Sequence, residues 1–252
     1  MKVIRHRKEE VTVERIAGIV HAGDTAYYFD VGDQIVATWT DDDLDDYELP
    51  FDIVDFQDVE LEDGSTVPGM ILQMHYALPF DVPFAACGSD TPNRWDKSLI
   101  RQYLNGKGPA GKWWAPASDG EELQDNMFEK GGFMAGFAGE FLSMLKPVKI
   151  QTALANGEMV TTYDTFFLPS LSQMGISEYE DGEKEGKTWE YWDFPEDRHE
   201  KFMDLDGEDC CVRLRSARRT TAGSTWIVTT TGRAYGYGAA FASRFCAACV
   251  IC

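Results

Sequence analysis

A cysteine pair, a run of aspartates and four histidines are the places where this sequence invites chemistry. The pair is Cys246 and Cys249 in "CAACVIC", a C-x-x-C separation that serves redox centres and zinc sites elsewhere. A reactive thiolate needs an electropositive, accessible setting, and these two cysteines sit among apolar residues. No second regularly spaced pair completes a zinc site, because the other cysteines are Cys87, Cys210, Cys211 and Cys252. The aspartates are Asp41, Asp42, Asp43, Asp45 and Asp46, which lack the glycine and the oxygen-ligand spacing of a calcium loop. They read as a solvated loop, and the sequence leaves open whether another cation binds there. His6 and His199 lie in charged, exposed-looking stretches, and His75 in "LQMHYAL" reads as a packed strand residue rather than a base. There is no H-E-x-x-H, G-x-S-x-G, phosphate-loop or dinucleotide fingerprint, and acids are too plentiful to single out a glycosidase pair. No catalytic residue, no cofactor and no metal are therefore expected.

Charge is distributed unevenly over the 252 residues, whose net formal charge is −20. All 43 acids precede Cys211, whereas the last 42 residues carry Arg213, Arg215, Arg218, Arg219, Arg233 and Arg244 with no acid or lysine. A field of that sign repels polyanions, so nucleic acid and anionic membrane are not expected partners. "MKVIRHRKEE" leads into "VTVERIAGIV", where Glu14 and Arg15 interrupt any apolar signal core, and no apolar run is long enough to insert into a membrane. Synthesis in a cytoplasm as a soluble protein, with reduced thiols, is the expectation.

The elements that must position any site are short. "FDIVDFQDVELEDGSTVPGMILQMHYAL" alternates apolar and polar residues about "EDGS" and predicts a β-hairpin. "TAYYFDVGDQIVATW" reads as strand, turn at Gly32-Asp33, strand. Asp96 is the expected cap of a helix whose apolar face is Leu99, Ile100, Tyr103 and Leu104 and which Asn105-Gly106 ends. Phe133, Phe137, Phe141, Leu142 and Leu145 predict a second helix that stops at Pro147. Trp113 and Trp114 look exposed in a turn-rich stretch. The tail reads as short strands joined by tight loops. The fold class expected is α+β, two helices beside many short antiparallel strands. Residues 1–23 are expected to form an arm or attachment segment. Residues 24–252 would be a single domain with a surface insertion at about 176–204 that carries Trp189, Tyr191, Trp192 and Phe194.

Three blocks in this order resemble a family of domains of unknown function found in phage and prophage proteins: "NRWDKSLIRQYLN", "TTYDTFFLPSLSQMG" and "VRLRSARRTTAGSTWIVTTTGRAYGYGAAFASRFCAACVI". The resemblance runs from about Asp30 to Cys252 and departs from the family's pattern at Arg213, Ala217 and Ala247. It implies a C-type-lectin-like fold, shared with formylglycine-generating enzymes and with the variable proteins of diversity-generating retroelements. In those variable proteins, adenine-directed copying scatters asparagine codons in the final exposed strands over many residues, but never to Lys, Glu, Gln, Met or Trp. From Cys211 onward this chain has one residue of that forbidden set, Trp226.

The resemblance implies a non-catalytic ligand- or receptor-binding protein, made in a bacterium without a signal peptide and carried on a phage virion. Its recognition surface is expected at about 213–252, with Arg218, Arg219, Thr220, Thr221, Ser224, Thr225, Arg233, Tyr235, Tyr237 and Phe241 facing outward. Tyrosine offers contact area at low entropy cost, and arginine and small residues offer adaptable polar contacts. Trp95, Trp226, Gly232 and Arg244 are expected to be scaffold. The partners implied are a protein or carbohydrate on a cell surface, or another virion subunit, with homo-oligomers left open. Two alternatives stand beside this reading: a structural virion component docked through its tail, and an oxidase using Cys246 and Cys249.

Overall fold

The strands, in chain order, are β1 Gln34–Thr40, β2 Asp46–Glu60, β3 Thr66–Met74, β4 Val82–Pro83, β5 Val148–Ala153 and β6 Met159–Asp164. They continue as β7 Phe166–Phe167, β8 Val212–Ala217, β9 Ser224–Val228, β10 Ala234–Gly238, β11 Ala242–Ser243 and β12 Ala248–Ile251. The helices are α1 Val13–Ala22, α2 Thr25–Tyr28, α3 Leu99–Leu104 and α4 Gly139–Met144. This computed structural model describes residues 13–109, 112, 130–176, 185–193 and 202–252. The architecture is α+β and mostly β, with antiparallel pairing between neighbouring strands. Among the described residues, no helix is long and apolar enough to cross a membrane.

The largest sheet has the order β1-β2-β3-β12-β7. Its hairpin β2–β3 turns at Gly64, with φ +82, as the alternation about "EDGS" predicts. Strand β12 enters between β3 and β7, which accounts for its continuous apolar run Ala248–Ile251, buried on both faces. A second sheet, β10-β9-β8, holds the arginine-rich part of the tail, and β5–β6 forms a separate hairpin.

Several local expectations change. Residues Val13–Ala22 form a helix that lies against β3 and buries Ile16, Ile19 and Val20, so this part of the expected arm is packed. Thr25–Tyr28 is a helical turn rather than a strand. Helix α3 is capped by Ser98, whose hydroxyl accepts from the Arg101 amide, while Asp96 pairs with Arg94 instead. The phenylalanine stripe does not lie on one helix. The chain makes a 3-10 turn at Phe133–Gly136, extends at Phe137 and then enters α4. All three rings nevertheless pack together, Phe133 to Phe137 at 5.0 Å and Phe137 to Phe141 at 5.2 Å. The aromatic residues Trp189, Trp192 and Phe202 of the expected surface insertion belong to the core, while Gly186, Lys187, Glu190 and Asp193 are exposed. Trp192 stacks on Phe202 at 5.5 Å. His6, Trp113, Trp114, Phe194 and His199 lie outside the described residues.

Candidate functional site

Strand β9 pairs with both β8 and β10, so it forms the middle of a small sheet whose two ends are turns. At one end, the turn 218–223 is closed by bonds from Arg218 N to Ser224 O at 3.0 Å and from Ser224 N to Thr221 O at 3.0 Å. The loop after β10 joins that end through Ala239 N to Gly223 O at 2.8 Å. At the other end, Thr229 N bonds Arg233 O at 2.8 Å and Gly232 turns with φ +74. The ends are separated by five-residue strands, roughly 13 Å at about 3.3 Å per residue.

This geometry divides the ten expected contact residues. Thr220 and Thr221 are exposed at the first end, with Arg218 and Arg219 half-buried beside them, and Phe241 is 64% exposed nearby. Arg233 is exposed at the opposite end. Tyr235, 62% exposed, and half-buried Tyr237 are two residues apart on β10 and share a face. Gly236 points to the other face, paired with Trp226. There the Arg218 guanidinium covers the Trp226 ring at 5.4 Å. A Cβ at position 236 would come within 2.4 Å of Arg218 Nη1, so glycine gives the guanidinium its seat. Arg218 and the tyrosines therefore do not form one contact patch.

Two of the ten face inward. Ser224 and Thr225 are buried, Thr225 completely, because its side chain lies on the face of β9 that covers Arg213. The outer limits of the expected surface retract as well. Strand β8 is buried along its whole length and so is everything from Phe245 to Cys252. Within the predicted 213–252, outward positions fall between Arg218 and Phe241.

Sequence reasoning missed what holds that stretch in place. Arg213 has no solvent exposure. Its Nη1 donates to Thr225 Oγ1 at 2.8 Å and to Tyr237 O at 3.2 Å, and its Nη2 to Gly238 O at 3.2 Å and Phe241 O at 2.7 Å. The guanidinium also faces the Tyr237 ring at 5.0 Å. One side chain thus fixes the backbone of the whole Tyr237–Phe241 loop, and the two rings meet at 5.7 Å. Burial lowers the Arg213 pKa to about 10, offset in part by Tyr237 and Asp81, so the group stays charged at neutral pH.

Arg215 repeats the device on the inner side. It donates to Leu168 O at 2.7 Å and Glu185 O at 2.6 Å, and also to Gln173 Oε1 at 2.5 Å. The Glu185 carboxylate is buried too and accepts from Ala153 N and Ser216 Oγ. Burial raises its pKa, and the Arg215 charge opposes that rise. The alternation of Arg213 and Arg215 with Val212 and Leu214 in "VRLRS" was the available signal of a strand, and nothing in it marked the arginine face as buried.

Beside the aromatic pair lies a cavity of about 350 Å³ lined by Ile227, Tyr237, Asp81, Asp204, Glu208 and Arg244. Arg244 pairs with Asp81 at 2.8 Å and Asp204 at 3.3 Å, bracing the floor of that cavity. Trp95, expected as scaffold, is buried and donates its indole N–H to Asp164 at 2.9 Å. His75 is half-buried with Nδ1 2.7 Å from Asp52 Oδ2. Asp41 is engaged locally, accepting from the amides of Asp43 and Asp45. Cys246 and Cys249 are buried, and burial pushes both thiols well above their ordinary range, which disfavours the thiolate an oxidase needs.

A protein family described as "Domain of unknown function (DUF6273)" matches residues 85–246, nearly two thirds of the chain. No curated protein and no solved structure matches the chain.

Proposed function

The chain belongs to the DUF6273 family, and from that premise we propose that it is a non-catalytic ligand-binding protein of a phage or prophage. Its recognition surface is the aromatic face of β10 and the loop that follows. The observation that carries this reading is Arg213: a fully buried arginine fixes four acceptors beneath half-buried Tyr237 and exposed Phe241, so the backbone that carries these rings is held in place before any ligand arrives. Rigidity in the free state lowers the entropy lost on binding. Aromatic side chains over a pinned loop are the anchors on which protein and carbohydrate ligands depend.

The fold is read as C-type-lectin-like, on the strength of short helices beside small antiparallel sheets and of the ordered motifs in the sequence. Diversification by adenine-directed copying belongs to the same reading. It would be confined to the exposed positions of 218–223 and 229–241, because changes in β8, β9 or β12 would strike the core. A near-copy of this stretch of DNA, differing at adenines beside a reverse transcriptase gene, is the observation to seek.

The binding test uses the Tyr235→Ala/Phe241→Ala double variant against an immobilised glycan panel and intact bacterial cells. The wild type is expected to bind, and the variant to lose about thirtyfold or more in affinity, the scale of an interface hot spot. Its melting temperature should stay within about 4 °C, since both rings are largely exposed. Equal binding by variant and wild type, or no binding by either, overturns the reading.

A further inference from the structure

A second pocket lies between the β1–β2 turn and residues 130–136, with a volume of about 150 Å³. Its apolar walls include Trp39, Tyr47 and Phe80, with ring separations of 5.8 Å from Trp39 to Tyr47 and 6.4 Å from Trp39 to Phe80. Its rim is formed by Asp41, Asp42 and Asp43. An ammonium already occupies this setting: Lys130 Nζ lies 4.0 Å from the centre of the Phe80 ring. That is well inside the range of about 6 Å over which an aromatic face attracts a cation.

We propose that this pocket is a binding site for the organic ammonium head group of a small molecule, with the Lys130 side chain as its built-in competitor. Aromatic faces and carboxylates together select a weakly hydrated cation. A metal ion suits the site poorly, because calcium or magnesium needs about six or more oxygen ligands and two of the three carboxylates are already engaged. Asp41 Oδ1 accepts two amides of its own turn, and both Asp42 oxygens accept the Gly131 amide, at 3.0 and 2.7 Å. The Asp42 contact also fastens the segment carrying Lys130 onto the turn. A Cβ at Gly131 would stand 2.7 Å from Asp42 Oδ1, so any larger residue there would have to push that carboxylate aside. Size sets the class of ligand: drug-sized molecules need pockets of about 300–1,000 Å³, so the enclosed space admits a head group and leaves the rest of the molecule outside. Lys130 hangs on a flexible four-carbon stem and is only half-buried, so its ammonium has room to swing off the Phe80 ring.

The full chain is titrated calorimetrically with choline and with its uncharged isostere 3,3-dimethylbutan-1-ol. Choline is expected to bind the Lys130→Met variant about tenfold more tightly than the wild type, and the alcohol to bind that variant about tenfold more weakly than choline. Adding Phe80→Leu to Lys130→Met should abolish the gain. Choline and the alcohol binding equally well overturns the proposal, as does absence of choline binding to a Lys130→Met protein that melts like the wild type. Should that variant fail to fold, Lys130→Gln replaces it, with the same titrations and the same expected outcomes.

Discussion

Within the eight residues "VRLRSARR", arginine meets two opposite environments. Arg213 and Arg215 are wholly buried, each serving several acceptors, whereas Arg218 lies half-buried across one indole ring. Local sequence does not distinguish them, since all belong to one run of closely spaced arginines. The difference comes from the rest of the chain, which brings carbonyls of residues 168, 185, 238 and 241 to the first two and none of these to the third. Buried arginine is tolerated only where such acceptors are already fixed, and once seated it fixes them in turn. The inner half of the tail is thereby a clamp, and the outer half is what the clamp holds.

The widest gap between the two halves is expected from replacing each kind of arginine. Arg215→Met strands the Leu168 and Glu185 carbonyls and takes a donor from Gln173 Oε1, and should cost about 3–5 kcal/mol in urea unfolding. Arg218→Met should cost less than about 1 kcal/mol, the worth of a partly exposed cation–π contact. Equal losses would dissolve the distinction.

A smaller effect sharpens the clamp's electrostatics. Burial holds the Glu185 pKa above its ordinary 4.5, against the pull of Arg215. In the window just above pH 4.5, the folded protein therefore keeps a proton that the unfolded chain has released. The stability from this proton is present at low pH and lost as pH rises through the folded pKa. Unfolding free energy, followed from about pH 4 upward, should fall with rising pH in the wild type relative to Glu185→Gln. A difference that instead grows with pH would mean that Arg215 outweighs burial and holds the carboxylate ionised.

The smallest change concerns the outer half alone. Gly236→Ala should push the Arg218 guanidinium off Trp226 while altering stability by less than about 1 kcal/mol, because the obstructing atoms end a flexible side chain. The Arg218 Nε–H resonance should shift in a heteronuclear spectrum with melting nearly unchanged. A large loss of stability would place Arg218 with the clamp rather than outside it.

Legibility in the sequence follows the same division. The β2–β3 hairpin can be read because a turn and strict alternation are local signals, and α3 because its apolar spacing is. The phenylalanine stripe predicts the right burial on the wrong backbone: four-residue spacing fits a helix, but Phe137 is extended and packs between two shorter turns. Thr225 reads as a contact residue because nothing nearby in sequence announces that Arg213 needs its hydroxyl. Tyr235 and Phe241 are expected to be exposed and are, since glycines and tight turns around them leave little to cover a large ring. The charge of their neighbours points Trp189 and Trp192 to a surface excursion, but their own apolar surface prevails.

Strand β12 carries a consequence for synthesis. It fills the slot between β3 and β7, so two hydrogen-bonding edges of the central sheet stay unpaired until Ile251 has left the ribosome. A nascent chain paused before that point would present open strand edges to its neighbours, which is where a holdase would act on it.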